Sequence, residues 1–148
     1  MILLDTNLLT RLTSTAHQHG LIARNAIHRL LARGEQIAIV PQNLYEFWAV
    51  ATRGIGARPT CANGLGFSIE RASQWLIFFQ RRFTLMPDRE DLPARWHDLV
   101  KTRAIKGFRA HDARLVAAMQ CYGMTQLLTF NGGDFRGLGV TVIDPTSV

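Results

Sequence analysis

Apolar positions along the chain follow two alternating rhythms. Short apolar and β-branched runs at Ile2–Leu4, Gln36–Val40, Phe83–Met86, Gln126–Phe130 and Val140–Ile143 read as strands. Longer stretches between them carry helical spacing. Ala23, Ala26, Ile27 and Leu30 recur on one face of a helix over Leu21–Arg33, closed by a basic last turn and Gly34. Pro41 suits a first helical turn, and Leu44, Phe47, Trp48 and Ala51 then form a stripe. Ser68 can cap a helix carrying Ile69, Ala72, Leu76 and Phe79. Leu92, Trp96, Leu99 and Val100 mark another, with Pro93 in its first turn, and Ala110–Tyr122 a last one, ended by Gly123. Asp5-Thr6-Asn7 opens a helix or tight turn, and the glycine-rich stretch Gly54–Gly66 reads as a loop.

Short buried strands alternating with amphipathic helices predict an α/β fold. The expected architecture is a single three-layer domain over residues 1–148, with a central, mostly parallel sheet of about five strands and helices on both faces. Composition agrees, since 148 residues with 47% hydrophobic and 19% charged side chains are globular usage. No apolar run approaches the roughly 18 residues of a membrane-spanning helix, and Met1 leads straight into Ile2 without a basic leader. A cytosolic protein without a membrane span is expected. Cys61 and Cys121 lack a C-x-x-C partner and read as free thiols. Lys+Arg 17 against Asp+Glu 11 gives +6, almost all of it arginine, because only Lys101 and Lys106 are lysines. Arginine's planar fork suits phosphate, so an anionic polymer is the first partner to consider, beside the plainer reading of a solvated basic surface.

In a parallel sheet, ligands gather beyond the carboxyl ends of the strands. Asp5 follows the first strand, Glu46 lies early in the helix after Gln36–Val40, and Asn131 and Asp134 follow Gln126–Phe130. Asp112 sits in the first turn of a helix that leads into a parallel strand, which puts it at the same edge. It is also in line with Leu115, Val116 and Met119, so its carboxylate is expected to point inward. Each acid has a plainer reading too: Asp5 as a cap, Asp112 as a dipole partner, Glu46 as a surface glutamate, Asp134 as a turn residue. Together, carboxylates at one strand edge repel each other unless a hard cation such as Mg2+ or Mn2+ neutralises them. None of the histidines has zinc-ligand spacing, and His17 and His19 read as solvated. Clustered acids, one or two divalent ions and an arginine-rich surface point to phosphodiester hydrolysis, with Arg53, Arg103, Lys106, Arg109 and His111 as candidate phosphate grips. Aspartyl-phosphate chemistry is disfavoured, because Asn7 stands where an Asp-x-Asp motif needs its second acid.

Four segments resemble the PIN-domain ribonucleases, in particular the VapC-type toxins: Met1-Ile2-Leu3-Leu4-Asp5-Thr6-Asn7, Asn43-Leu44-Tyr45-Glu46-Phe47, His111-Asp112-Ala113-Arg114-Leu115-Val116-Ala117-Ala118 and Leu128-Thr129-Phe130-Asn131-Gly132-Gly133-Asp134-Phe135. The order and spacing match over nearly the whole chain. The resemblance implies a PIN-like fold, Asp5, Glu46, Asp112 and Asp134 as metal-binding and catalytic acids, and Thr6 and Asn131 as polar neighbours. It also implies endonucleolytic cleavage of RNA, a small antitoxin protein as partner, and a homodimer. Many relatives carry Asp where this chain has Asn131, so Asp134 is the only carboxylate of that loop. A stand-alone RNA-processing nuclease and a non-catalytic RNA-binding module are the alternatives on the same fold. The segment Arg58–Gly66 resembles a subset of the family, without an evident physical role.

Overall fold

The computed structural model describes residues 1–14, 16–56 and 64–148. Among these described residues five strands, β1 (Ile2–Leu4), β2 (Ile37–Ile39), β3 (Thr84–Leu85), β4 (Gln126–Leu128) and β5 (Thr141–Ile143), form one sheet in the order β3-β2-β1-β4-β5. All four pairings are parallel, with Leu3 opposite Ala38 on one side and Leu127 on the other. The helices are α1 (Thr6–Leu12), α2 (Gln18–Ala32), α3 (Pro41–Thr52), α4 (Ile69–Arg82), α5 (Leu92–Thr102) and α6 (Arg109–Cys121).

Alternation along the strands divides the interior into two cores. Ile2, Leu4, Ile37 and Ile39 face α1 to α4, meeting Leu8, Leu9, Ala23, Ile27, Phe47 and Phe79. Leu3, Ala38 and Leu127 face the opposite way, onto Leu99, Leu115, Val116 and Met119 of α5 and α6. Each fully buried leucine, isoleucine or phenylalanine contributes roughly 1.5–3 kcal/mol, so this pattern fixes which side of the sheet each helix covers.

The elements expected from spacing are present, with shifted ends. The Gln126–Phe130 run pairs only through Leu128, after which the chain turns out of the sheet. The chain after Asp5 is a helix and not a tight turn. Ser68 Oγ accepts the Arg71 amide at 3.1 Å and caps α4. Gly34 and Gly123 adopt φ of 81° and 65° where α2 and α6 end, a left-handed conformation that glycine enters without a Cβ clash. α5 and α6 run antiparallel: the Trp96 indole donates to the Ala110 carbonyl (2.9 Å), while the start of α5 lies by the end of α6. Their connection, residues 103–108, therefore lies at the carboxyl edge of the sheet.

His17 is exposed as expected, whereas His19 is a correction. The His19 ring stacks on Phe130 with centroids 4.8 Å apart, and His17 caps α2 by accepting the His19 amide. Histidine is amphipathic enough to cover an aromatic ring, which sequence spacing does not register. Cys121 is a buried free thiol. Cys61 and most of the segment Arg58–Gly66 lie outside the described residues. No helix among the described residues is long and apolar enough to cross a membrane.

Candidate active site

β1 and β4 are adjacent, but their onward connections leave in opposite directions. A crevice opens between their carboxyl ends. Asp5 stands at its floor. The residue is the N-cap of α1 yet makes no side-chain capping bond. Its Oδ2 instead accepts hydrogen bonds from Asn7 Nδ2 and Thr129 Oγ1, each at 2.6 Å. The Thr129 hydroxyl also receives the Asn131 amide at 2.9 Å, so one threonine links the end of β4, the acid after β1 and the loop that follows. Burial raises the Asp5 carboxyl above its ordinary range; the Thr129 bond opposes the rise and the charge of Glu46 adds to it.

Glu46 reaches the same place from α3. Thr6 Oγ1 donates to its Oε2 (2.6 Å) and Gln42 Nε2 to its Oε1 (2.7 Å). Thr6 is held in turn by Asn43, a fully buried side chain whose Nδ2 donates to the Leu4 carbonyl (3.1 Å) and to Thr6 Oγ1 (3.3 Å) while its Oδ1 accepts the Val40 amide (2.8 Å). The face opposite the Leu44–Trp48 stripe is thus turned to the crevice and not to open solvent, because α3 begins at the carboxyl edge with its polar side beside α1.

Asp112, in the first turn of α6, is half-buried. Burial pushes its carboxyl up to about 6, and the charges of Asp134, Asp5 and Glu46 push in the same direction against a smaller pull from Arg109. The other three sequence-predicted acids are therefore all within electrostatic reach of Asp112, and Glu46 is within reach of Asp5. Asp134 is the most open of them. It lies in the 3-10 turn Gly132–Phe135, with its amide on the Asn131 carbonyl and its own carbonyl accepting Arg109 Nη2 at 3.2 Å. A Cβ on Gly132 would come within 2.8 Å of Val142 Cγ1, so glycine lets this acidic turn sit against β5. Among the described residues, no group of three or more His, Cys, Asp or Glu side chains closes on a single point as a ready coordination sphere.

The candidate phosphate grips divide. Arg109 is tied to the Asp134 turn, while Arg103 and Lys106 are exposed on the α5–α6 connection beside it. His111 is exposed and lines a cleft of about 420 Å3 together with Gln42, Tyr45, Glu46, Ala49 and Arg114. Arg53 closes α3, its carbonyl accepting the Gly66 amide.

Gln42, Asn7, Thr129 and Arg114 are site residues that composition and spacing did not single out for a role. Gln42 stands four positions before Glu46 on one helical face, which is the signal that could have found it. Arg114 carries no such signal. Its partners are Gln42 Oε1 (2.9 Å) and Asp88 Oδ2 (2.7 Å), and both come from elements distant in sequence.

No family model matches the chain, and the search of curated proteins found no match either. Solved structures do. The fold is similar to that in the structure of FitAB bound to an IR36 DNA fragment, with TM-score 0.68 and 22% identity over 100% of this chain and 97% of the other. VapBC2 from Rickettsia felis, bound to a fragment of its promoter DNA, gives 0.67 and 19% over 97% and 98%. Mycobacterium tuberculosis VapC20, a sarcin-ricin loop cleaving toxin, gives 0.66 and 19% over 95% and 97%. At these identities the likeness is one of fold, and it extends over at least 95% of each chain.

Proposed function

We propose that the chain is a metal-dependent endoribonuclease of the PIN-domain kind its sequence resembles, and the toxin of a toxin–antitoxin pair. The observation that carries this reading is the placement of Asp5, Glu46, Asp112 and Asp134 at one edge of the sheet, where Asp112, pushed up mainly by its burial, also feels the charges of the other three. The fold likeness supports it, since one of the similar structures is a sarcin-ricin loop cleaving toxin.

The donor set fits a hard divalent cation: four carboxylates with amide and hydroxyl neighbours. Asp5, Glu46 and Asp112 would hold Mg2+ or Mn2+, with Asp134 and Asn131 completing the rim. One or two ions there would neutralise charge on the scissile phosphate and acidify a water for attack. The chain's own residues do the rest. Thr6 and Gln42 fix both oxygens of Glu46, and Thr129 and Asn7 fix Asp5, so the acids meet a cation without reorganising. Arg103, Lys106 and Arg109 draw the phosphate backbone to the edge of the crevice. Phe108, 92% exposed among them, offers a ring on which an unpaired base can stack. A single-stranded loop exposes both backbone and bases in the way this surface requires.

A small antitoxin protein that covers the acidic crevice, and a homodimer, complete the proposal; the FitAB and VapBC2 structures support the first. The test is cleavage of single-stranded and stem-loop RNA by the purified protein in Mg2+ or Mn2+. We expect cleavage that stops with EDTA and with Asp5→Asn or Asp112→Asn. RNA binding without cleavage under any divalent ion would establish a binding module instead. Mapping new RNA 5′ ends after induction in cells then identifies the target.

A further inference from the structure

The geometry points to Arg114 as a positioning residue for Glu46, acting through the side-chain amide of Gln42; this deepens the nuclease reading and rests on it. Gln42 uses both of its donors and its carbonyl oxygen in one orientation. Nε2 donates to Glu46 Oε1 at 2.7 Å and to the His111 carbonyl at 2.9 Å, and Oε1 accepts from Arg114 Nη1 at 2.9 Å. A flipped amide would set its oxygen against a carboxylate and a carbonyl, and its NH2 against a guanidinium. Arg114 is itself fixed at its other nitrogen, where Nη2 meets Asp88 Oδ2 at 2.7 Å.

Position in the fold gives this chain of contacts its role. Glu46 is on α3, whose apolar stripe packs into one core, and Asp112 is on α6, whose stripe packs into the other. Hydrophobic packing therefore sets each helix against the sheet, but not the two helices against each other. At the carboxyl edge the polar link from Gln42 to His111 and Arg114 joins them directly. Arg114 lies two residues beyond Asp112, so the same link that orients Glu46 also sets its distance from the acid on α6. Both guanidinium nitrogens that face protein are occupied by protein, in contrast to Arg103 and Lys106, which are exposed for substrate. Without Arg114, Gln42 Oε1 must find water, and the side chain regains rotational freedom just where Glu46 depends on it.

The experiment combines kinetics with a readout independent of cleavage. Arg114→Met keeps the aliphatic stem, and Gln42→Leu removes the amide. On a short single-stranded RNA in Mn2+, each variant is expected to lower kcat about tenfold with KM changed less than about twofold. The double variant should be no worse than Gln42→Leu alone, because both act along one path. In amide NMR spectra, the Gln42 side-chain NH2 pair, assigned by its disappearance in Gln42→Leu, should move to solvent-like positions in Arg114→Met. A raised KM with unchanged kcat would make Arg114 a phosphate grip. Multiplying losses in the double variant, or unmoved Gln42 signals, would equally overturn the proposal. If Arg114→Met does not fold, Asp88→Asn releases the other end of Arg114 and should shift the same signals by a smaller amount. An unchanged spectrum there overturns the idea. Should the wild-type protein cut no RNA with any divalent ion, the nuclease reading fails, while the Gln42 spectrum still decides whether Arg114 orients that amide.

Discussion

Thr129 donates its hydroxyl to the carboxylate of Asp5 across 2.6 Å, and this bond ties the ends of two adjacent parallel strands at the point where the candidate site opens. Thr129→Val keeps the shape and removes the donor. A hydrogen bond to a charged group contributes about 1.5–3 kcal/mol. The variant should therefore melt earlier at neutral pH and cleave RNA at least tenfold more slowly. The bond favours the ionised acid, so the melting deficit should shrink as pH falls and Asp5 takes up its proton. Parallel melts of both proteins between pH 4 and 8 measure this; a deficit that grows on acidification would contradict it.

Asp112 predicts the opposite slope in protein freed of metal. Its carboxyl stands at about 6 in the folded chain, against about 3.9 unfolded. Between those values the folded state binds more protons, so this group's contribution to stability is complete below pH 4 and is lost as pH rises through 6. In EDTA, Asp112→Asn should raise stability at pH 7 by about 1 kcal/mol once solvent screening of a half-exposed group is allowed for, or about 3 °C in melting temperature. At pH 4 the two proteins should melt together.

Adding the ion should reverse that order. At 100 times its dissociation constant, a ligand bound only by the folded state adds about 2.7 kcal/mol. Thermal melts with increasing Mn2+ should stabilise the wild-type protein by this amount and leave Asp5→Asn/Asp112→Asn unmoved. Equal stabilisation of both would place the ion elsewhere.

The basic surface predicts a salt dependence. With four of the 11 acids in the crevice, seven remain elsewhere against 17 lysines and arginines. Each phosphate contact to single-stranded RNA lowers the slope of log K against log salt by about 0.7. Replacing Arg103, Lys106 and Arg109 together by alanine should make that slope shallower by about 2. Fluorescence anisotropy over a salt series measures it, and an unchanged slope would remove these residues from the interface.

Sequence alone determined the elements and their inner faces. Ile2 to Leu4, the Ala23–Leu30 stripe and the Leu44–Phe47–Ala51 stripe are buried where periodicity puts them, and the Leu115–Val116–Met119 line carries Asp112 toward the interior. A side chain's direction relative to its own helix or strand is a local property, repeated every 3.6 or 2 residues, and it survives in the one-dimensional record. What stands opposite that side chain is not local. Glu46 looked like a surface residue from α3 alone, and became part of the site because β1 and β2 are neighbours and bring Thr6 to it. His19 gained Phe130, Thr129 gained Asp5, and Arg114 gained Gln42 only once the order β3-β2-β1-β4-β5 was set. Those partners lie on elements distant along the chain, where polar contacts leave no periodic trace, so the tertiary structure alone decided them.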